Sequence, residues 1–311
     1  MSKPTALIIA FGGCNGCHVT ITDLYERVGE LFDVVDLKWG SVLTDFKYKD
    51  MPQVDVALIE GTICNEENVE LIKKIRENAK LVVTLGTCSS YGGIPGLRNY
   101  YSVDDVLETA YKTTVTTVDG KIPYKEIPRL IPRALPVHKV VKVDYKITGC
   151  PPEPDQILEA IKSLAAGETP QMPTKNLCEE CPRTKKELEP GNREFYTFHV
   201  DSVAESDLDP DKCFLEQGVL CMGPATIAGC GGRCVRANMP CRGCYGPSEE
   251  AIEQGCEMAN ALAPVVPIGA LINKEDLPGT VYRFALPSSI IEGNVVNNSD
   301  KMQPKGGEQN E

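Results

Sequence analysis

Six cysteines, at positions 213, 221, 230, 234, 241 and 244, fall in one stretch crowded with glycine and proline. No regular element survives there, because Gly223, Gly229, Gly231, Gly232, Gly243, Pro224, Pro240 and Pro247 interrupt both the helical and the strand period. What such a backbone can do is bend closely around an inorganic core, with thiolates arriving from several directions. The stretch therefore reads as metal-binding, and eight further cysteines elsewhere in the chain offer more of the same ligand.

Disulfides are the alternative use of fourteen cysteines, but disulfide frameworks belong to small secreted domains. Residues 1–4 carry a single lysine and no paired arginines, and the apolar run over 6–11 is too short for an export signal. A cytoplasmic location with reduced thiols is expected, and thiols in CxxC pairs there point to metal. A net charge of −12 argues against a nucleic-acid partner, whose phosphates are bound by lysine and arginine. No apolar run approaches the roughly 20 residues that span a bilayer, so no membrane partner is expected. With 311 residues, the chain has room for one large domain or two modest ones.

The first half alternates strands and helices. Residues 6–11 are continuously apolar and end in Gly12-Gly13, which suits a strand buried on both faces. A helical pattern follows Cys14-Asn15-Gly16-Cys17, with Val19, Leu24, Val28 and Leu31 on its apolar side. Strands are expected over 32–39, 54–59 and 81–85, with a fifth led in by 139–147, and helices over 66–78 and 155–166. This is an α/β pattern, a doubly wound parallel sheet covered on both faces. Residues 98–138, with Pro123, Pro128, Pro132 and Pro136, depart from it and read as a hairpin or surface insertion.

In such sheets the ligand site lies beyond the carboxyl ends of the strands. Cys14 follows the first strand, Cys17 lies in the first turn of the next helix, Cys88 follows the fourth strand and Cys150 the fifth. Four thiolates far apart in sequence thus converge on one rim, as either tetrahedral zinc or a 4Fe-4S cluster requires. Cys64 reaches the same rim after the third strand and reads as a half-buried neighbour of the site rather than a ligand. His18 and His138 read as surface residues or as neighbours of the ligands; His199 has no assignment.

A polar connector over 167–176 ends this half. Beyond it, helices are expected only at 211–218 and 248–261, and apolar residues are too sparse to offset chain entropy with a core. Metal would then supply the folding energy. Eight cysteines between 178 and 244 suffice for two four-thiolate sites, and their irregular spacing around Gly-Pro loops favours iron-sulfur over paired zinc knuckles. Residues 293–311 read as a disordered tail.

The chain resembles the small subunit of nickel-iron hydrogenases from about residue 6 to residue 246. The similarity rests on the first CxxC, EGT at 60–62, GTCSSYGG at 86–93, GCPPEP at 149–154, CFLEQGVLCMGPAT at 213–226, Cys230 and CRGCYGP at 241–247. The resemblance implies a flavodoxin-like domain over 1–167, an iron-sulfur domain over 168–262 and an extension over 263–311. It implies three 4Fe-4S clusters: a proximal one on Cys14, Cys17, Cys88 and Cys150, a distal one on Cys178, Cys181, Cys213 and Cys221, and a medial one on Cys230, Cys234, Cys241 and Cys244. No catalytic residue is expected. The implied partners are a nickel-iron large subunit and an iron-sulfur or flavin acceptor subunit, such as the heterodisulfide reductase complex served by the methyl-viologen-reducing type of methanogens. The coenzyme F-420-reducing type, an iron-sulfur subunit of another oxidoreductase such as formate dehydrogenase, a free electron carrier and a zinc-stabilised scaffold are the rival readings. The exported members of the family use a histidine where this chain has Cys178, and commonly a three-iron medial cluster where it offers Cys234. Both differences are expected to lower the potentials of the relay, since negative ligands disfavour the reduced state.

Overall fold

The computed structural model describes residues 3–42, 44–45, 47–186, 208–248, 251, 253–264 and 276–291. His199 and the expected disordered tail over 293–311 lie outside the described residues.

Strands β1 (Thr5–Ala10), β2 (Asp36–Gly40), β3 (Val54–Glu60), β5 (Ala79–Leu85) and β7 (Tyr145–Ile147) form one sheet in the order β2-β1-β3-β5-β7, every neighbour parallel. That order is the flavodoxin-like one. Successive side chains of a strand point to opposite faces. Ala6 and Ile8 accordingly pack with α2 (Val28–Val34) and α6 (Pro154–Ala165), through Leu31, Ile157 and Ile161. Leu7 and Ile9 pack on the other side with Trp39 and with Ile72 and Ile75 of α3 (Glu66–Asn78). Burial on both faces is why these strands read as unbroken apolar runs. Where the two central strands begin, the Asp55 carboxylate accepts from the backbone N–H (2.8 Å) and hydroxyl (2.9 Å) of Thr5, tying β3 to β1.

Three boundaries differ from expectation. The helix after β1 is broken: α1 (Gly16–Thr22) is followed by a 3-10 turn, Tyr25–Arg27, whose Tyr25 has φ 52°, and then by α2. Residues 32–34 belong to α2 rather than to a strand, and extended backbone resumes only at Val35. Residues 139–144 are not strand either; a 3-10 turn (Val137–Lys139) precedes the short β7. Residues 98–138 form no hairpin of their own. They contain α5 (Val103–Tyr111), closed by a capping box at Ser102, and β6 (Leu130–Leu135), which pairs antiparallel with β4 (Ile63–Asn65).

The region beyond residue 166 is built of turns, with 3-10 segments at Leu177–Glu179, Leu215–Gln217 and Gly223–Ala225 and helices α7 (Arg233–Arg236) and α8 (Gln254–Leu262). The helix expected over 211–218 is only the turn at Leu215–Gln217, and the one expected from 248 begins at Gln254. Contrary to the expectation of no core, Leu177, Phe214, Leu215, Met222, Val235, Met258 and Leu262 bury together with the thiols Cys221 and Cys241. They come from 3-10 turns, α7 and α8, short elements far apart in sequence, so no one local period announces the core they form. A short helix, Leu277–Val281, leads the chain back to the first region, where Gly93 N–H donates to Phe284 O (3.1 Å) and the Ser288 hydroxyl to Tyr91 O (3.0 Å).

Candidate metal centres

Cys14 and Cys17 follow β1, and their loop is anchored from the end of β3. The buried Glu60 carboxylate accepts from the backbone N–H of Cys17 (3.2 Å) and His18 (3.0 Å), and it also contacts His18 Nδ1. Cys88 opens α4 (Thr87–Tyr91), and Cys150 follows β7. Thr87 joins the two loops: its N–H donates to Gly149 O (2.8 Å) and its hydroxyl oxygen accepts from Gly149 N–H (3.0 Å). The Thr62 hydroxyl contacts the carbonyls of Cys88 and Gly92, at 3.0 and 2.8 Å. Gly86, with φ 88°, leaves room where a Cβ would lie 2.3 Å from Cys17 Sγ.

The four thiols feel one another. Burial pushes Cys17 far above the ordinary thiol range, and Glu60, Cys88, Cys150 and Cys14 add to it. Cys88 is pushed up to about 12 by burial, then by Cys150 and Cys14. Cys150 reaches solvent on one side yet is raised by burial on the others, then by Cys14 and Glu60. Cys64 is raised by burial and opposed by Arg98, and no other thiol acts on it. The structure thus brings Cys14, Cys17, Cys88 and Cys150 within electrostatic reach of one another, while Cys64 faces Arg98.

Cys178, Cys181, Cys213 and Cys221 line a cavity of about 110 Å³ together with Arg183, Phe214 and Gly223. Cys178 is pushed up to about 12 by burial, then by Cys221, Cys213 and Cys181. Burial raises Cys221 to about 11, against backbone N–H donors from Gly223 and Cys241. A Cβ on Gly223 would stand 3.3 Å from Cys178 Sγ and 3.7 Å from Cys221 Sγ, so the glycine leaves space beside both thiols.

Cys230, Cys234, Cys241 and Cys244 form the third group, and it lies between the other two. Burial pushes Cys244 up to about 12, followed by Cys150 of the first group and then by Cys230 and Cys234. Cys241 is raised by burial and next by Cys221 of the second group, whose Sγ accepts its N–H at 3.3 Å. The Thr87 hydroxyl also donates to Cys244 O (2.5 Å). Among the described residues no three His, Cys, Asp or Glu side chains converge closely enough for a single metal ion.

Neither described histidine joins a thiol group. His18 is buried against Glu60, and His138, held down to about 4 by burial and Lys146, lies 3.2 Å from Ser90 O. Cys256 is exposed beside Tyr282, apart from the three groups. No described helix is long and apolar enough to cross a membrane.

A family model described as the 20 Kd subunit of NADH ubiquinone oxidoreductase matches residues 14–164. A subunit of the F420-non-reducing hydrogenase of Methanothermobacter thermautotrophicus is 40% identical over 291 residues, covering 90% of this chain and 93% of that protein. The chain belongs to the hydrogenase small-subunit family. A second member, from Archaeoglobus profundus and named an iron-sulfur subunit, is 32% identical over 90% of this chain and 95% of its own length. A crystal structure of an NAD+-reducing [NiFe]-hydrogenase in the H2-reduced state matches with a TM-score of 0.52 and 33% identity, covering 55% of this chain and 96% of that one. As a hydrogenase small subunit the chain is part of an oxidoreductase.

Several residues around the thiols carried no assignment from sequence. Glu60 stood inside a motif, but its grip on the Cys17 loop needs β1 and β3 side by side. Glu180, Arg183 and the clamp by residues 284–288 depend on contacts between segments tens to hundreds of residues apart, for which no local signal exists.

Proposed function

We propose that this small subunit holds three 4Fe-4S clusters and relays electrons between the nickel-iron site of a separate large subunit and a low-potential acceptor of the heterodisulfide reductase type. Cys14, Cys17, Cys88 and Cys150 would hold the proximal cluster, Cys230, Cys234, Cys241 and Cys244 the medial one, and Cys178, Cys181, Cys213 and Cys221 the distal one. Bound in these groups, such clusters accept and release single electrons without bond chemistry.

The observation that carries the reading is the serial order of the groups: the third touches the first through Cys150 and Cys244 and the second through Cys221 and Cys241. The donor sets fit. Each is made of thiols alone, and burial disfavours the ionisation of Cys17, Cys88, Cys150, Cys178, Cys221, Cys230, Cys241 and Cys244 unless positive charge arrives with the ligand. Cluster sulfurs need acceptor-facing donors and space, which the glycines beside Cys17 and Cys178 leave open. The domains would then be 1–167 with the proximal cluster, 168–262 with the other two, and an extension over 263–311, in a cytoplasmic complex.

Anaerobically purified, this chain should contain about twelve irons and as much sulfide, before the iron of any partner subunit is counted. Stoichiometric zinc with little sulfide would end the cluster reading. Hydrogen-dependent dye reduction should require the large subunit, and activity from this chain alone would contradict the relay role. Capture of a heterodisulfide-reducing partner in anaerobic pull-downs tests the acceptor, and capture of a deazaflavin-reducing subunit instead would replace it.

A further inference from the structure

The segment Cys178-Glu179-Glu180-Cys181-Pro182-Arg183 aims two opposite charges at two different groups of thiols. Glu179 turns outward to Lys175 (3.4 Å). Arg183 turns inward: it is 9% exposed and lines the cavity that Cys178, Cys181, Cys213 and Cys221 share. Its Nη1 donates to the carbonyls of Asp209 (2.9 Å) and Lys212 (2.7 Å), its Nη2 donates to Asn238 Oδ1, and its guanidinium lies 3.8 Å over the Phe214 ring. That leaves the buried Nε–H, which has no partner among the described residues. A charged donor is seldom buried unpaired, and the cavity is where an acceptor would stand.

Glu180 points elsewhere. Its two oxygens accept from the N–H groups of Gly229 (2.8 Å) and Gly231 (2.9 Å), the residues that flank Cys230, and its negative charge raises the Cys230 thiol, after burial as the main cause. One carboxylate thus shapes the loop of the third group while belonging to the ligand motif of the second.

We propose that Arg183 and Glu180 are positioning residues that set the potentials of the two groups apart, Arg183 raising that of the Cys178 group and Glu180 lowering that of the Cys230 group. The inference rests on the reading that both groups hold iron-sulfur clusters. Reduction adds negative charge, which a fixed guanidinium favours and a fixed carboxylate opposes, most strongly where water is excluded. Arg183 thereby works against the lowering expected from a thiolate at Cys178. The pair makes electrons rest on the distal side of the relay. Lys185 also faces Cys178, but from an exposed position where salt screens it.

The test is a redox titration of the assembled complex, followed by electron paramagnetic resonance, with iron and sulfide counted in each variant. Arg183→Gln should lower the midpoint of the Cys178-group cluster alone, Arg183→Lys should lower it less, and Glu180→Gln should raise that of the Cys230-group cluster alone. In wild-type complex labelled with 15N-arginine, hyperfine spectroscopy should show one arginine nitrogen coupled to the reduced distal cluster. Unchanged midpoints at full iron content overturn the proposal, and so does the absence of arginine coupling, which is read even where a variant loses iron. A wild type without iron and sulfide would instead overturn the reading beneath it.

Discussion

Residues 3–165 and the region beyond them hold their thiols in opposite ways. In the first, two apolar layers close on a five-stranded sheet, and the cysteines stand on loops at its rim. Cys17 reaches into one layer, but the strand residues Leu7, Ile9, Ile59 and Val83 are buried without it. In the second, Cys221 and Cys241 belong to the core itself, packed with Phe214 and Met222 from turns and Met258 from α8. A sheet core stands on its own apolar layers, whereas a core assembled from short elements and thiols has fewer apolar side chains to close on. The family model ends at residue 164, the point at which one construction gives way to the other.

Removing the metal should break this contrast most visibly. Iron chelation of the anaerobic complex should abolish amide protection around residues 213–244 while β1, β3 and β5 keep theirs, as hydrogen exchange would measure; equal loss in both regions would show that the sheet also needs its ligand. Next in size is a pair of serine variants at the rim. Cys88→Ser should cost the proximal cluster and nearly all hydrogen-dependent dye reduction, whereas Cys64→Ser should keep the iron count and most activity; like behaviour would make Cys64 a ligand.

The sheet core offers a smaller, calibrated effect. Ile72→Ala, at a fully buried position of α3, should cost about 2–5 kcal/mol in reversible unfolding of the first region. Its iron content should not change, which separates packing from ligand binding. The smallest effect is expected at Asp55, held at about 2 by Lys80 (2.7 Å) and by the Thr5 donors. A carboxylate depressed in the fold stabilises above its unfolded value, about 3.9, and loses that contribution as pH falls toward 2. Asp55→Asn should therefore cost about 0.2–1 kcal/mol at pH 7, since Lys80 is exposed, and the difference from wild type should shrink as pH falls through 2 and vanish below it.

Much of the first region was legible because its signals are local. Continuous apolar runs marked β1, β3 and β5, and the crevice rule brought Cys14, Cys17, Cys88 and Cys150 together from sequence alone. Where the signal was ambiguous the reading slipped. Residues 32–34, Phe-Asp-Val, alternate as a half-buried strand would but finish α2 instead, because three residues are too few to separate the strand period from the helical one.

The sequence by itself determined the supply of thiols, the alternation of the sheet half and the shortness of every regular element between residues 213 and 244, since these follow from composition and near-neighbour period. Only the tertiary structure decided that the third thiol group lies between the other two, that Glu60 grips the Cys17 loop, that residues 284–288 clamp the segment after Cys88, and that Glu180 and Arg183 face different groups. Each of those is a meeting of segments remote in sequence, fixed by packing and hydrogen bonding across the fold, for which a chain carries no local period.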